Sequence, residues 1–222
     1  EEPPDFVIFV FATTEPRKVP ATIISRCQRF DFRRIPVQAM SEYLAREAAG
    51  EGIAIDAEAL SIVCRSSGGS MRDALSIMDQ LVSFSGGEIT RESAEGLLRV
   101  VEVELLDALS RSILSGRAAE TLDAVDEAFA RGYSVEELCD AFIEHLRNLM
   151  LCASGGTAGL SDLSDREVSL LEATASLVED TVILNVLRVV SGAASEVRTS
   201  SLPRVVLESA VLASARMCSA VG

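Results

Sequence analysis

The chain has no tryptophan, a single histidine, and aromatic side chains at only 5% of its 222 residues. With so little aromatic bulk, and with Ala, Leu, Val and Ser prominent, the composition leans towards helix. Basic residues are also in deficit, 20 against 34 acidic ones, for a net charge of −14. Residues 1–34 hold six basic and five acidic side chains, which leaves −15 for the remainder. So acidic a body repels phosphate backbones and does not bind nucleic acid by itself. Any polyanion contact falls to the first segment or to parts outside this chain.

The five cysteines (Cys27, Cys64, Cys139, Cys152 and Cys218) are scattered, odd in number and without C-x-x-C spacing. That argues against a disulfide framework or a zinc module and for a reducing compartment. No long apolar run is present either. The most apolar stretch, "TVILNVLRVV", is broken by Asn185 and Arg188, far short of the ~20 residues that span a bilayer. The acidic, proline-containing opening does not resemble a signal peptide. We therefore expect a soluble, cytoplasmic protein with no membrane contact. No G-x-x-x-x-G-K-[ST] loop occurs, so the chain is not expected to hydrolyse a nucleotide unaided. No Ser/His/Asp, Cys/His or metal-ligand spacing occurs, and His145, alone within 135–153, reads as structural. An opening without Met that runs at once into a strand-like segment suggests a piece of a longer protein.

What is present divides at Pro36. "FVIFVFATT" (6–14) is continuously apolar, as a central parallel strand covered on both faces would be. "EPRKVPATIISRC" reads as a turn and a short helix between Pro16 and Pro20, and the alternation in "QRFDF" predicts a second short strand. Beyond Pro36 the pattern is helical. Met40, Leu44 and Ala48 share one face of 37–50, which ends at Gly50. Asp56 stands as N-cap of the next helix, and Ser70 with Asp73 has capping-box spacing before an apolar face of Ala74, Leu75, Met78, Leu81 and Val82. Thr90 caps a further helix through Leu98. Residues 36–99 thus form a small helical bundle. A second set is predicted over 102–115, 117–131, 135–153, 165–177, 181–196 and 203–218. The last has Pro203 near N1 and apolar residues around much of its circumference, which implies burial on more than one side, a neighbouring subunit included.

Three positions carry possible chemistry. Arg72 sits near N2 of its helix, where a cation faces the positive end of the helix dipole at a cost of about 0.3–1 kcal/mol. It is either a surface arginine paired with Asp73 or Asp79, or a phosphate ligand at a helix N-terminus. Thr13 and Thr14 end the strand-like run, where ligands bind in open α/β sheets; they are equally readable as β-formers capping a turn. Arg26, in "IISRCQRFDF" (23–32), is either a solvated side chain or an arginine finger acting on a phosphate held by another subunit.

"VFATTEPRKVPATIISRCQRFDF", followed by "GGSMRDALSIMDQLVSFSGGEIT", resembles the γ/τ subunits of bacterial DNA polymerase III, the ATPase subunits of the sliding-clamp loader. The "SRC" triplet is common to clamp-loader subunits, the "GSxRDALS…DQ" run is more particular to γ/τ, and "PRVVLESAVL" resembles the family's terminal collar helix. The resemblance implies a mainly α chain: residues 1–35 as the tail of an AAA+ α/β nucleotide-binding domain, 36–99 as its helical lid, and 100–222 as a helical collar that joins loader subunits. By position it implies Thr14 as sensor 1, Arg72 as sensor 2 and Arg26 as an arginine finger acting in trans. It further implies ATP with Mg2+ in the intact protein, with none expected on this piece alone. The implied partners are other loader subunits through the collar, and the sliding clamp and primer-template DNA in the full assembly. That assembly serves a DNA-directed DNA polymerase, a nucleotidyltransferase; the piece alone is expected to be inactive and able to self-associate. Two rivals are a non-catalytic loader stator, which keeps the SRC arginine but not the sensors, and another AAA+ DNA motor such as a branch-migration protein. The latter would show a β-hairpin near residue 200.

Overall fold

The computed structural model describes residue 4 and residues 6–219, and its contacts divide the chain into one unit through Arg34 and another from Ile35 onward. In the first unit a 3-10 turn at Pro16–Lys18 precedes one short helix, α1 (Ala21–Ile24). Neither 6–14 nor 28–32 joins a β-ladder, contrary to the two strands expected there. A strand is stable only when a neighbour takes its backbone N–H and C=O groups, and no such neighbour is present among the described residues. The apolar side chains of these runs accordingly face solvent, Phe6 at 88% and Phe32 at 96% exposure. Phe9 and Phe11, two apart and so on one side, stack at 6.3 Å.

The second unit is predominantly helical among the described residues and contains two cores. The first is built by α2 (Val37–Gly50), α3 (Ala57–Ser66), α4 (Met71–Ser85) and α5 (Arg91–Leu98). The 3.6-residue period places Met40, Leu44 and Ala48 of α2 in this core, with Ala59 and Val63 of α3 and Ala74, Met78 and Leu81 of α4. Leu75, expected on the buried face, is 40% exposed, because α4 presents a narrower stripe than its composition allows. A minimal parallel pair, β1 (Ala54–Ile55) with β2 (Glu88–Ile89), ties the loop before α3 to the loop before α5. Asp56 does sit at the N-cap of α3, but its side chain does not cap that helix. Its carboxylate instead accepts the Arg91 backbone N–H of α5 at 3.0 Å.

The second core is built by α6 (Val103–Leu114), α7 (Ala118–Ala130), α8 (Val135–Ala153), α9 (Asp165–Ala175), α10 (Asp180–Thr199) and α11 (Pro203–Ser219). These bounds follow the helical periodicity to within a turn. Capping boxes, Ser134 with Glu137 and Ser164 with Glu167, start α8 and α9 where the chain must leave a loop. Phe142, Leu146 and Leu149 of α8 meet Ile183, Val186 and Val190 of α10 and Leu207 and Val211 of α11. On α11 the burial is one-sided, and Val205 remains 52% exposed. The first core reaches Val100 and the second begins at Val101, so the two meet within one peptide unit.

Candidate functional site

Arg72 owes its position to the turn that precedes α4. Gly68 and Gly69 adopt left-handed backbone (φ 58° and 84°), which glycine reaches without strain. The Gly69 carbonyl is held by the Ile35 N–H at 3.0 Å, and Ser70 Oγ accepts the Asp73 N–H at 3.4 Å. The cap satisfies one amide of the first turn and leaves those of Met71 and Arg72 without an intrahelical acceptor. The Arg72 side chain is exposed, and among the described residues it forms no ion pair; neither Asp73 nor Asp79 takes it. Arg72 thus stands as a cation at a positive helix terminus, an arrangement that an anion would stabilise.

Thr14 and Arg26 belong to the first unit, and Arg72 to the second. Thr14 is exposed at a bend, and the hydroxyl used locally is that of Thr13, which accepts the Glu15 N–H at 2.9 Å. Arg26 is exposed just after α1, its own N–H donating to the Ile23 carbonyl at 3.0 Å. Cys27 beside it is exposed too.

The most developed polar constellation lies elsewhere, where the two bundles of the second unit meet. Arg91, at the first position of α5, donates to both Glu104 oxygens, from Nη1 at 3.1 Å and from Nη2 at 2.7 Å. It also pairs with Glu95 at 2.6 Å and Glu58 at 3.2 Å. Arg166 of α9 closes the circuit, pairing with Glu104 and reaching Glu58 at 3.8 Å. About two helical turns further along α3, Arg65 holds both oxygens of Glu167 (3.2 and 3.1 Å) and donates to the Asp162 carbonyl at 3.1 Å. Ser61 donates to that same carbonyl at 3.2 Å. Glu167 meanwhile accepts the Ser164 N–H as the capping acid of α9.

Burial makes these pairs stronger than ordinary surface ones, since Arg91 is only 14% exposed and Glu167 17%. The hydrogen bonds that Arg91 donates to Glu104 raise its pKa despite partial desolvation. Burial pushes the Glu104 and Glu167 carboxyls up, yet their arginine partners and helix N-terminal amides outweigh it and hold both below the usual range. At Glu95 burial wins over Arg91, and that carboxyl is raised. The sequence carries one trace of this junction: Glu58, Ser61 and Arg65 recur at one helical face of α3. Nothing in the sequence says that the partners of Ser61 and Arg65 stand about a hundred residues away.

Two family models match the chain. The DNA polymerase III clamp loader subunit, ATPase lid domain, matches residues 39–87, and DNA polymerase III subunits gamma and tau domain III matches residues 89–221. The structure places Ile89, Ala94 and Val100 with the first core, so α5 packs with the first bundle although the second match includes it. The DNA polymerase III subunit tau of Bacillus subtilis is 34% identical over 96% of this chain and 38% of its own length. The gamma/tau subunit of Mycobacterium tuberculosis (H37Rv) is 32% identical over 94% of this chain and 37% of its own. The chain thus spans little more than a third of these relatives. A solved structure titled Bacillus subtilis DNA clamp loader delta protein (YqeN) aligns with a TM-score of 0.46 at 14% identity, covering 92% of this chain and 64% of that one.

Proposed function

The chain belongs to the γ/τ subunit family of DNA polymerase III, and on that premise we propose that it forms the ATPase lid and collar of a clamp-loader subunit. The collar joins it to other loader subunits, and the assembly places a sliding clamp on primer-template DNA for the polymerase, in the cytoplasm. Among the described residues no helix is long and apolar enough to cross a membrane. The observation that carries the nucleotide reading is Arg72 at the N-terminus of α4, exposed and without an ion pair among the described residues. A triphosphate is the anion that such a terminus would accept, with Arg72 and the free first-turn amides as donors.

In this reading Arg72 acts as sensor 2, Thr14 as sensor 1, and Arg26 as a finger on a neighbour's nucleotide. ATP with Mg2+ supplies the phosphoanhydride that is hydrolysed. In the intact subunit, Arg72→Ala weakens ATP binding by about tenfold, the effect of losing one hydrogen bond to a charged group worth about 1.5 kcal/mol. Equilibrium titration with a fluorescent ATP analogue checks this, and an unchanged Kd would remove Arg72 from the site. The 222-residue chain, without a phosphate-binding loop of its own, shows no ATPase rate above buffer in a phosphate-release assay. Helices α10 and α11 occupy 180–219, where a branch-migration motor would carry a β-hairpin, and this favours the loader reading.

A further inference from the structure

We infer that lid and collar are latched into one body by a closed ring of alternating charges, so that displacing the lid carries the collar with it. The inference does not depend on which ligand meets Arg72. The ring runs Arg91, Glu104, Arg166, Glu58 and back to Arg91. Each bundle supplies one cation and one anion: Arg91 and Glu58 from the lid, Glu104 and Arg166 from the collar. Two of the four contacts therefore cross the junction, and each carboxylate is shared by an arginine of either side. A rotation of the lid breaks both crossing contacts together, because neither carboxylate can follow one arginine without leaving the other.

A second bridge lies beside the ring. Arg65 grips Glu167, whose position is in turn fixed by its capping bond at the start of α9. The covalent connection is pinned as well. Arg99, the one non-glycine residue with left-handed backbone (φ 53°) among those described, pairs with Glu137 and donates to the Gly132 carbonyl. Tyr133 donates to the Val100 carbonyl at 3.2 Å, and Arg131 pairs with Glu102. Residues 99–102, where a hinge would have to turn, are thus held on the collar side, while ring and bridge hold the lid on the other. Ion pairs of this kind contribute little net stability relative to apolar contacts of the same size, but they are directional. Their natural role is to select one orientation of two bodies whose cores are already formed.

The test is the lid-to-collar distance in the 222-residue chain. Spin labels are placed at E47C on α2 and S195C on α10, both exposed positions, with Cys27 and Cys152 replaced by serine. Cys64, Cys139 and Cys218 are buried, and burial pushes their thiols up, Cys64 to about 11, so they stay unlabelled. Pulsed dipolar spectroscopy on the parent gives a single narrow distance peak. E95Q, which removes an Arg91 partner within the lid only, keeps that peak. Arg65→Gln combined with Glu104→Gln loses it, giving a broad distribution while helicity by circular dichroism is unchanged; Arg65→Gln alone, a milder variant, gives partial broadening. A broad peak in the parent, or a peak as narrow in the combined variant as in the parent, overturns the latch.

Discussion

Replacing Arg26 with alanine in the intact subunit leaves that subunit's own ATP affinity nearly unchanged and lowers ATP turnover by the assembled loader about a thousandfold. The asymmetry follows from where the guanidinium would act. A finger supplied by one subunit to another's phosphates has no part in its own subunit's binding, and it stabilises charge that develops only as the phosphate transfers. The side chain is exposed immediately after α1, in a unit separate from that of Arg72. Titration of ATP onto the isolated variant and steady-state hydrolysis by the reconstituted assembly measure the two quantities separately. Equal losses in both would show that Arg26 serves its own site and would end the trans assignment, while Arg72→Ala would still report on the lid.

The second large effect concerns the collar. His145 is buried on α8 with its Nε2 unpartnered, and desolvation lowers its pKa from 6.5 to about 4, although Asp107 and Glu167 pull the other way. Asp107 is occupied by Arg111 and by the Thr174 hydroxyl, so it gives the imidazole no direct hydrogen bond. The folded state therefore holds a neutral imidazole in a range where the unfolded chain binds a proton. Stability from this group is full above the unfolded value of 6.5 and is lost as pH falls from there towards 4. Between pH 7.5 and pH 5 the loss is about 2 kcal/mol. Glu104 and Glu167, held below their usual range, lose stability in the same direction but at lower pH. Urea midpoints at the two pH values, compared with those of His145→Leu, isolate the histidine: the variant loses about 2 kcal/mol less on acidification. An unchanged pH slope would mean that the imidazole finds a proton acceptor in the native collar.

Much of the helical architecture was legible in the residues themselves. A period of 3.6 in α2 marks Met40, Leu44 and Ala48 as buried, and all three are at or below 3% exposure. The Ser70 and Thr90 caps and the proline at the head of α11 mark helix starts that the fold keeps. Such signals act within one or two turns of the chain, through backbone hydrogen bonds and side-chain spacing, so they survive without tertiary context. The Arg72 position at the head of α4 is of the same kind. Its local choice between two partners was not, because Asp73 and Asp79 are near in sequence whether or not a pair forms.

Tertiary structure alone decided the rest. A run as apolar as residues 6–14 states that a strand is possible; pairing requires another backbone, and the run stands exposed without one among the described residues. Asp56 carries a capping residue's chemistry in its sequence, but only packing of α3 against α5 sends its carboxylate to the Arg91 amide. The junction depends on distance in space more than any other feature. Glu58, Arg91, Glu104 and Arg166 are unremarkable surface charges in the sequence, and become a ring because two separately formed cores bring them within ion-pairing reach. Helices follow from interactions between near neighbours. The orientation of one bundle on the other follows from pairs of residues that the sequence does not connect.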